Sequence, residues 1–104
     1  MEPARVFSLS DMVSFGESSI VSRVIAKEPA GNVTMFAFDK GEGLSEHTAP
    51  FNAIVYVLEG KAAVTISGGE HQVSSGEAII IPAGEPHALK AMDRFKMLLI
   101  MIKG

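Results

Sequence analysis

The stretch Gly76-Glu77-Ala78-Ile79-Ile80-Ile81-Pro82-Ala83-Gly84-Glu85-Pro86-His87 decides the fold. Gly76 opens it where a strand must reverse tightly, and Ala78 to Ile81 run apolar without interruption. Pro82 to Pro86 then supply a rigid turn that aims the next strand, beginning at His87, back into the body of the protein. An earlier stretch is framed in the same way: Gly41-Glu42-Gly43-Leu44-Ser45-Glu46-His47 leads on to Leu58-Glu59-Gly60. The two frames present His47 and His87 at corresponding places, about forty residues apart.

Outward from these frames, short apolar runs alternate with turn residues from residue 20 onward, which is the signature of an all-β sandwich or barrel. The runs are 20–26, 33–39, 46–50, 53–58, 62–66, 71–73, 78–81, 87–90 and 95–102, with a turn expected at Gly31-Asn32. No helical period of useful length competes. Residues 8–14 read as one helical turn capped by a serine, within an N-terminal arm of residues 1–19. Ile54 to Leu58, Ile79 to Ile81 and Met97 to Ile102 are apolar at successive positions, so both faces of those strands are expected to lose solvent. The second cover is most economically another copy of the chain, with Ile20 to Ile25 exchanged or paired across a two-fold axis. A homodimer is therefore expected, against the alternative that the N-terminal segment folds back over its own sheet.

The totals exclude several classes. The chain of 104 residues is read as a single domain, 1–104, and its 47% hydrophobic and 20% charged content is that of a globular protein. A net charge of −3 offers no basic footprint for nucleic acid. The apolar runs are far shorter than a membrane span and no signal core is present, so no membrane partner and a cytoplasmic location are expected. With no cysteine, any metal must rest on His, Asp, Glu or backbone oxygen.

The two frames are specific enough to identify a resemblance: the chain resembles a small single-domain cupin of the conserved-barrel type. Gly41, His47 and Gly60 match the first motif of that family, over about residues 41–60. Gly76, Pro82, Gly84 and His87 match the second, over about 76–91. The resemblance implies an all-β fold, the double-stranded β-helix or jelly-roll barrel. It also implies a divalent metal held by two histidines and a glutamate from the first motif and one histidine from the second. Applied residue by residue, Ala49 stands at the second histidine, Ala53 at the glutamate, and Ala91 at the frequent asparagine of the second motif.

Two of four ligands therefore survive, His47 and His87, and an alanine has no lone pair to donate. Two imidazoles hold Mn, Fe, Ni or Zn far less firmly than a full set, because each lost ligand removes charge and preorganisation. Glu46 and Thr48 alternate with His47 and are expected to face away, and Asn52 reaches inward only if its strand shifts register. His71 lies in a polar hairpin. Met35, Met97 and Met101 fall on strand patterns, as core filling or as a soft pocket wall.

Three functions follow as hypotheses. The first is a barrel with a degenerate metal site that binds a small, mainly apolar molecule in a pocket containing His47, Ala49, Ala53 and His87. The second is a metal-dependent enzyme of dioxygenase, isomerase or decarboxylase type, as the resemblance implies, using His47 and His87. The third is a metal-free enzyme in which one of these histidines moves a proton. No residue in the sequence names a ligand or a catalytic group.

Overall fold

The computed structural model describes residues 3–103. Nine strands form among the described residues, each overlapping one of the expected runs: β1 (Ile20–Glu28), β2 (Gly31–Phe38), β3 (Gly43–His47), β4 (Phe51–Glu59), β5 (Lys61–Ile66), β6 (Gly69–Ser74), β7 (Ala78–Ile81), β8 (His87–Ala91) and β9 (Phe95–Lys103). They form two antiparallel sheets, one in the order β1-β2-β9-β4-β7 and the other β3-β8-β5-β6. Packed face to face, the two make the jelly-roll barrel expected from the motifs. No helix among the described residues is long and apolar enough to cross a membrane.

Alternation along β4 and β9 sends one side of each strand to the interior. On β4, Ala53, Val55 and Val57 are buried, and on β9 Phe95 and Met97 join them. From the opposite sheet come Ala62 and Val64 of β5 and Leu89 of β8, so the core is one cluster shared by both layers. Phe38 and Phe95 are wholly buried and stacked, with ring centroids 4.5 Å apart and planes inclined by 9°. Such a pair contributes about 0.5–1.5 kcal/mol beyond the burial of its area.

The outer face of the larger sheet is partly covered by the chain itself. Leu9, Met12, Val13 and Phe15 pack on Met35, Ala37, Leu58 and Leu98. Polar contacts pin this arm: Ser10 Oγ donates to Glu59 Oε2 at 2.7 Å, and Lys96 Nζ donates to the Ser10 carbonyl at 2.7 Å. Arg94 and Lys96 both lie over the Phe15 ring. The helical turn is a 3-10 turn at Ser10–Met12 preceded by Leu9, with no side-chain cap. The serine cap expected within residues 8–14 is thus not formed, and Ser10 gives its hydroxyl to Glu59. β1 pairs with β2 of its own chain, from Ile20 opposite Phe38 to Glu28 opposite Gly31. β1 is the edge strand of the larger sheet.

Most strands extend a residue or two beyond the expected runs, and two differences change how the chain is read. The third strand is Gly43–His47 rather than 46–50, because Gly43 and Leu44 find partners in Lys90 and Leu89 of β8. Pro50 has no N–H for the ladder, and the Ala49 carbonyl turns away to accept from Gly84 N at 2.9 Å. The first hairpin turns at Pro29-Ala30, and Gly31 lies inside β2. A Cβ on Gly31 would stand 2.0 Å from the Met101 carbonyl oxygen, so this glycine serves the close approach of β9 and not a turn.

Candidate functional site

The two histidine frames meet in space. β3 pairs antiparallel with β8, and the register sets His47 directly opposite His87. Their rings lie with centroids 4.3 Å apart and planes at 60°. A register shift between Leu44 and His47 accompanies this. A bulge of that kind turns residues three apart to the same side, and Leu44 and His47 both face the interior cavity described below. Simple alternation along the sequence does not reveal it.

Each imidazole is held by the chain two residues before it. His47 Nδ1 lies 2.7 Å from the Ser45 carbonyl oxygen, and His87 Nδ1 lies 3.0 Å from that of Glu85. A carbonyl oxygen only accepts, so each Nδ1 carries a hydrogen, and in the neutral ring each Nε2 keeps its lone pair. Neither Nε2 has a protein partner among the described residues. The two differ in setting: His87 is 8% exposed and His47 is open to solvent.

Beside the pair lies a cavity of about 170 Å³ between the sheets. Ala49, Ala53, His47 and His87, the residues singled out from the sequence, all stand in its wall. Ala53 of β4 faces Ile81 on one side and Met101 on the other, and all three line the cavity. Val55, Leu89, Met97 and Leu99 close its apolar floor. Met97 and Met101 are thus wall residues, whereas Met35 sits in the outer cluster beneath the N-terminal arm. The cavity has no carboxylate, lysine or arginine in its lining.

The donor set does not fit a firmly held metal. Among the described residues no three of His, Cys, Asp and Glu are grouped so as to share an ion. Asn52 points its Oδ1 at Ala83 N, 2.9 Å away, where it braces the Pro82-to-Pro86 turn. Glu46 is exposed and outside the wall, and Glu85 turns its carboxylate to Ser67 Oγ. His71 is exposed on β6, away from the pair. What remains is an apolar chamber with two imidazole acceptors.

A family model described as a cupin domain matches residues 34–103. Among solved structures, a conserved protein of unknown function from Streptococcus pyogenes is 36% identical with a TM-score of 0.94, and the match covers 100% of this chain and 91% of that one. A cupin 2 conserved barrel domain protein from Leptotrichia buccalis is 39% identical, with a TM-score of 0.91, over 93% of this chain and 47% of that chain. A cupin superfamily protein from Desulfitobacterium hafniense, 24% identical with a TM-score of 0.92, covers 100% and 95% respectively and shares the fold. No match is found among curated proteins. The paired histidines on facing strands, the glycine and proline frames that place them and the match over residues 34–103 converge: the chain belongs to the cupin family.

Proposed function

We propose that this cupin barrel binds a small, mainly apolar molecule in the cavity beside His47 and His87, without a tightly held metal. One observation carries the reading: a chamber of about 170 Å³ whose wall is apolar except for two imidazoles. Where a metal-binding cupin has a ligand, Ala53 presents a methyl group, and its neighbours Ile81 and Met101 leave the space open. An apolar cavity of similar size, about 150 Å³, stays dry and takes up benzene.

The test is methyl-resolved NMR during titration with benzene. Shifts concentrated on Ala53, Leu99, Met97 and Met101 are expected, and a spectrum unmoved at millimolar benzene would sink the reading. Elemental analysis after growth in excess Mn, Fe, Ni and Zn provides the opposing check. Near-stoichiometric metal that disappears in His47→Ala would establish the metal-dependent alternative instead.

The same proposal includes a homodimer formed through the outer face of the larger sheet. Val33, Ile100, Ile54 and Ile80 are consecutive cross-strand neighbours and make an apolar row over β2, β9, β4 and β7. Ile80 is 65% exposed and Ile102 49%, and the N-terminal arm packs on a different part of this face. A row that lies on its own copy about a two-fold axis is self-complementary and removes these side chains from water. Sedimentation at low micromolar concentration is expected to show a dimer, shifted to monomer by Ile80→Lys. A monomeric wild type would defeat this part of the proposal.

A further inference from the structure

The cavity discriminates by the sense of its polar groups as well as by its size. His87 Nδ1 is committed to the Glu85 carbonyl, so in the neutral ring Nε2 is an acceptor, and the residue is 8% exposed in the cavity wall. His47 is fixed in the same tautomer by the Ser45 carbonyl but stands at the solvent side, where water can satisfy it. Nothing else in the wall has a charge, and no side chain there other than the two histidines offers a polar hydrogen. No buried polar side-chain atom is left without a partner among the described residues, so the unpartnered His87 Nε2 is reached from the cavity, where water or a ligand can donate to it and the chain supplies no donor.

Resting on the reading of the cavity as a ligand site, we propose that the ligand is a small hydroxylic molecule. It has an apolar body of about one six-membered ring, by comparison with the cavity that holds benzene. It carries a single O–H of phenol or enol type, and that O–H donates to His87 Nε2. His47 closes over the oxygen from the mouth, directly or through water. No covalent step is involved, and the hydrogen stays with the ligand oxygen. Acceptor-only ligands of the same size leave two lone pairs facing one another. Ammonium ligands bring a charge that the apolar wall cannot compensate.

The discriminating pair is phenol and toluene, which have the same shape and number of heavy atoms and differ in the polar hydrogen. A plain apolar chamber prefers toluene, because burying an unpartnered hydroxyl is unfavourable. The structure requires the reverse. With chelator-treated protein, calorimetry or methyl NMR is expected to show phenol binding about tenfold tighter than toluene, the size of one hydrogen bond to an acceptor in the cavity wall. In His87→Leu the order inverts, while His47→Ala, at an exposed position, lowers phenol affinity less. Nitrogen-15 spectra of the wild type add a readout independent of the variants: the His87 Nε2 resonance moves on addition of phenol and is unaffected by toluene. Toluene binding as tightly as phenol, or a stationary Nε2 resonance, would overturn the hydroxyl assignment and leave the cavity reading intact. If neither compound binds at millimolar concentration, both fall.

Discussion

Filling the cavity from Ala53 gives a prediction whose sign depends on whether the space is there. Ala53 is 5% exposed, sits between Ile81 and Met101, and borders the cavity. Ala53→Ile adds three carbon atoms. At about 0.8 kcal/mol for each buried methylene, the ceiling of the gain is about 2.4 kcal/mol. Loss of side-chain freedom and imperfect fit take part of it, leaving about 1–2 kcal/mol. For a domain of this size each kilocalorie raises Tm by about 4–8 °C. Ala62→Ile is the control, because Ala62 is wholly buried in the shared core and is not in the wall of this chamber. There the same atoms must displace neighbours, at a cost of about 1–3 kcal/mol. The assay is urea and thermal unfolding of both variants beside wild type, followed by benzene titration of Ala53→Ile. The expected result is opposite stability changes and lost binding, since a chamber of about 170 Å³ has little room beyond one ring. Destabilisation of Ala53→Ile to the same extent as Ala62→Ile would refute the claim that the chamber is open.

Three further outcomes are expected. Ala49→His combined with Ala53→Glu restores the family's four-ligand set, and elemental analysis and chelator competition should show stoichiometric Zn or Mn, with a Tm that rises on metal addition; an absence of metal would mean that these wall positions do not converge. Gly60→Ala should cost at least about 2 kcal/mol, against about 1 kcal/mol for Gly76→Ala. Both glycines have φ of +84°, but a Cβ at Gly60 would stand 1.9 Å from the Arg94 carbonyl oxygen whereas one at Gly76 meets nothing within 4 Å, so equal costs in urea melts would contradict the packing. The Arg94 guanidinium, with the Ser18 and Lys40 N–H groups, holds the Asp39 carboxyl below the usual carboxylate range. A pKa depressed in the folded state stabilises above the unfolded value, and the benefit fades as pH falls through the folded one. Asp39→Asn should therefore be less stable than wild type at pH 7, with a gap that narrows below about pH 4, and a gap constant across acid urea melts would remove the charge from the argument.

Most of the fold was legible in the sequence because its determinants are local. Gly76, Pro82 and Gly84 impose a turn whatever surrounds them, and Ala78–Ile81 forms a strand at the bounds its composition indicates. The family's spacing likewise carried Ala49 and Ala53 to the place where His47 and His87 meet. What was not legible depends on partners far along the chain. The start of β3 is set by β8, and the course of the N-terminal arm by Glu59 and Lys96, which lie 49 and 86 residues from Ser10. Met35 and Met97 look alike as strand methionines, yet one faces the arm and the other the cavity. The histidine tautomers follow from carbonyls two residues upstream, a contact that no residue type announces.

Those tautomers also bear on why losing two ligands leaves a usable site and not merely a damaged one. A glutamate retained at position 53 without metal would bury a carboxylate among Ile81, Met101 and Leu99, at a cost of several kcal/mol or a forced protonation. Alanine removes that penalty, and alanine at 49 removes a third imidazole that would compete for the same donor. An open chamber still carries a cost: at about 24 cal/mol per Å³, an enclosed void of this size corresponds to about 4 kcal/mol, an upper bound for one with a mouth. Valine or isoleucine at either position would recover part of it. A protein that leaves the space open forgoes stability within reach of a single substitution, and a bound molecule that fills the space and satisfies His87 Nε2 restores that stability only while it is bound. On this account ligand affinity and the stability gained by Ala53→Ile draw on the same empty volume, so the variant that melts highest is the one that binds least.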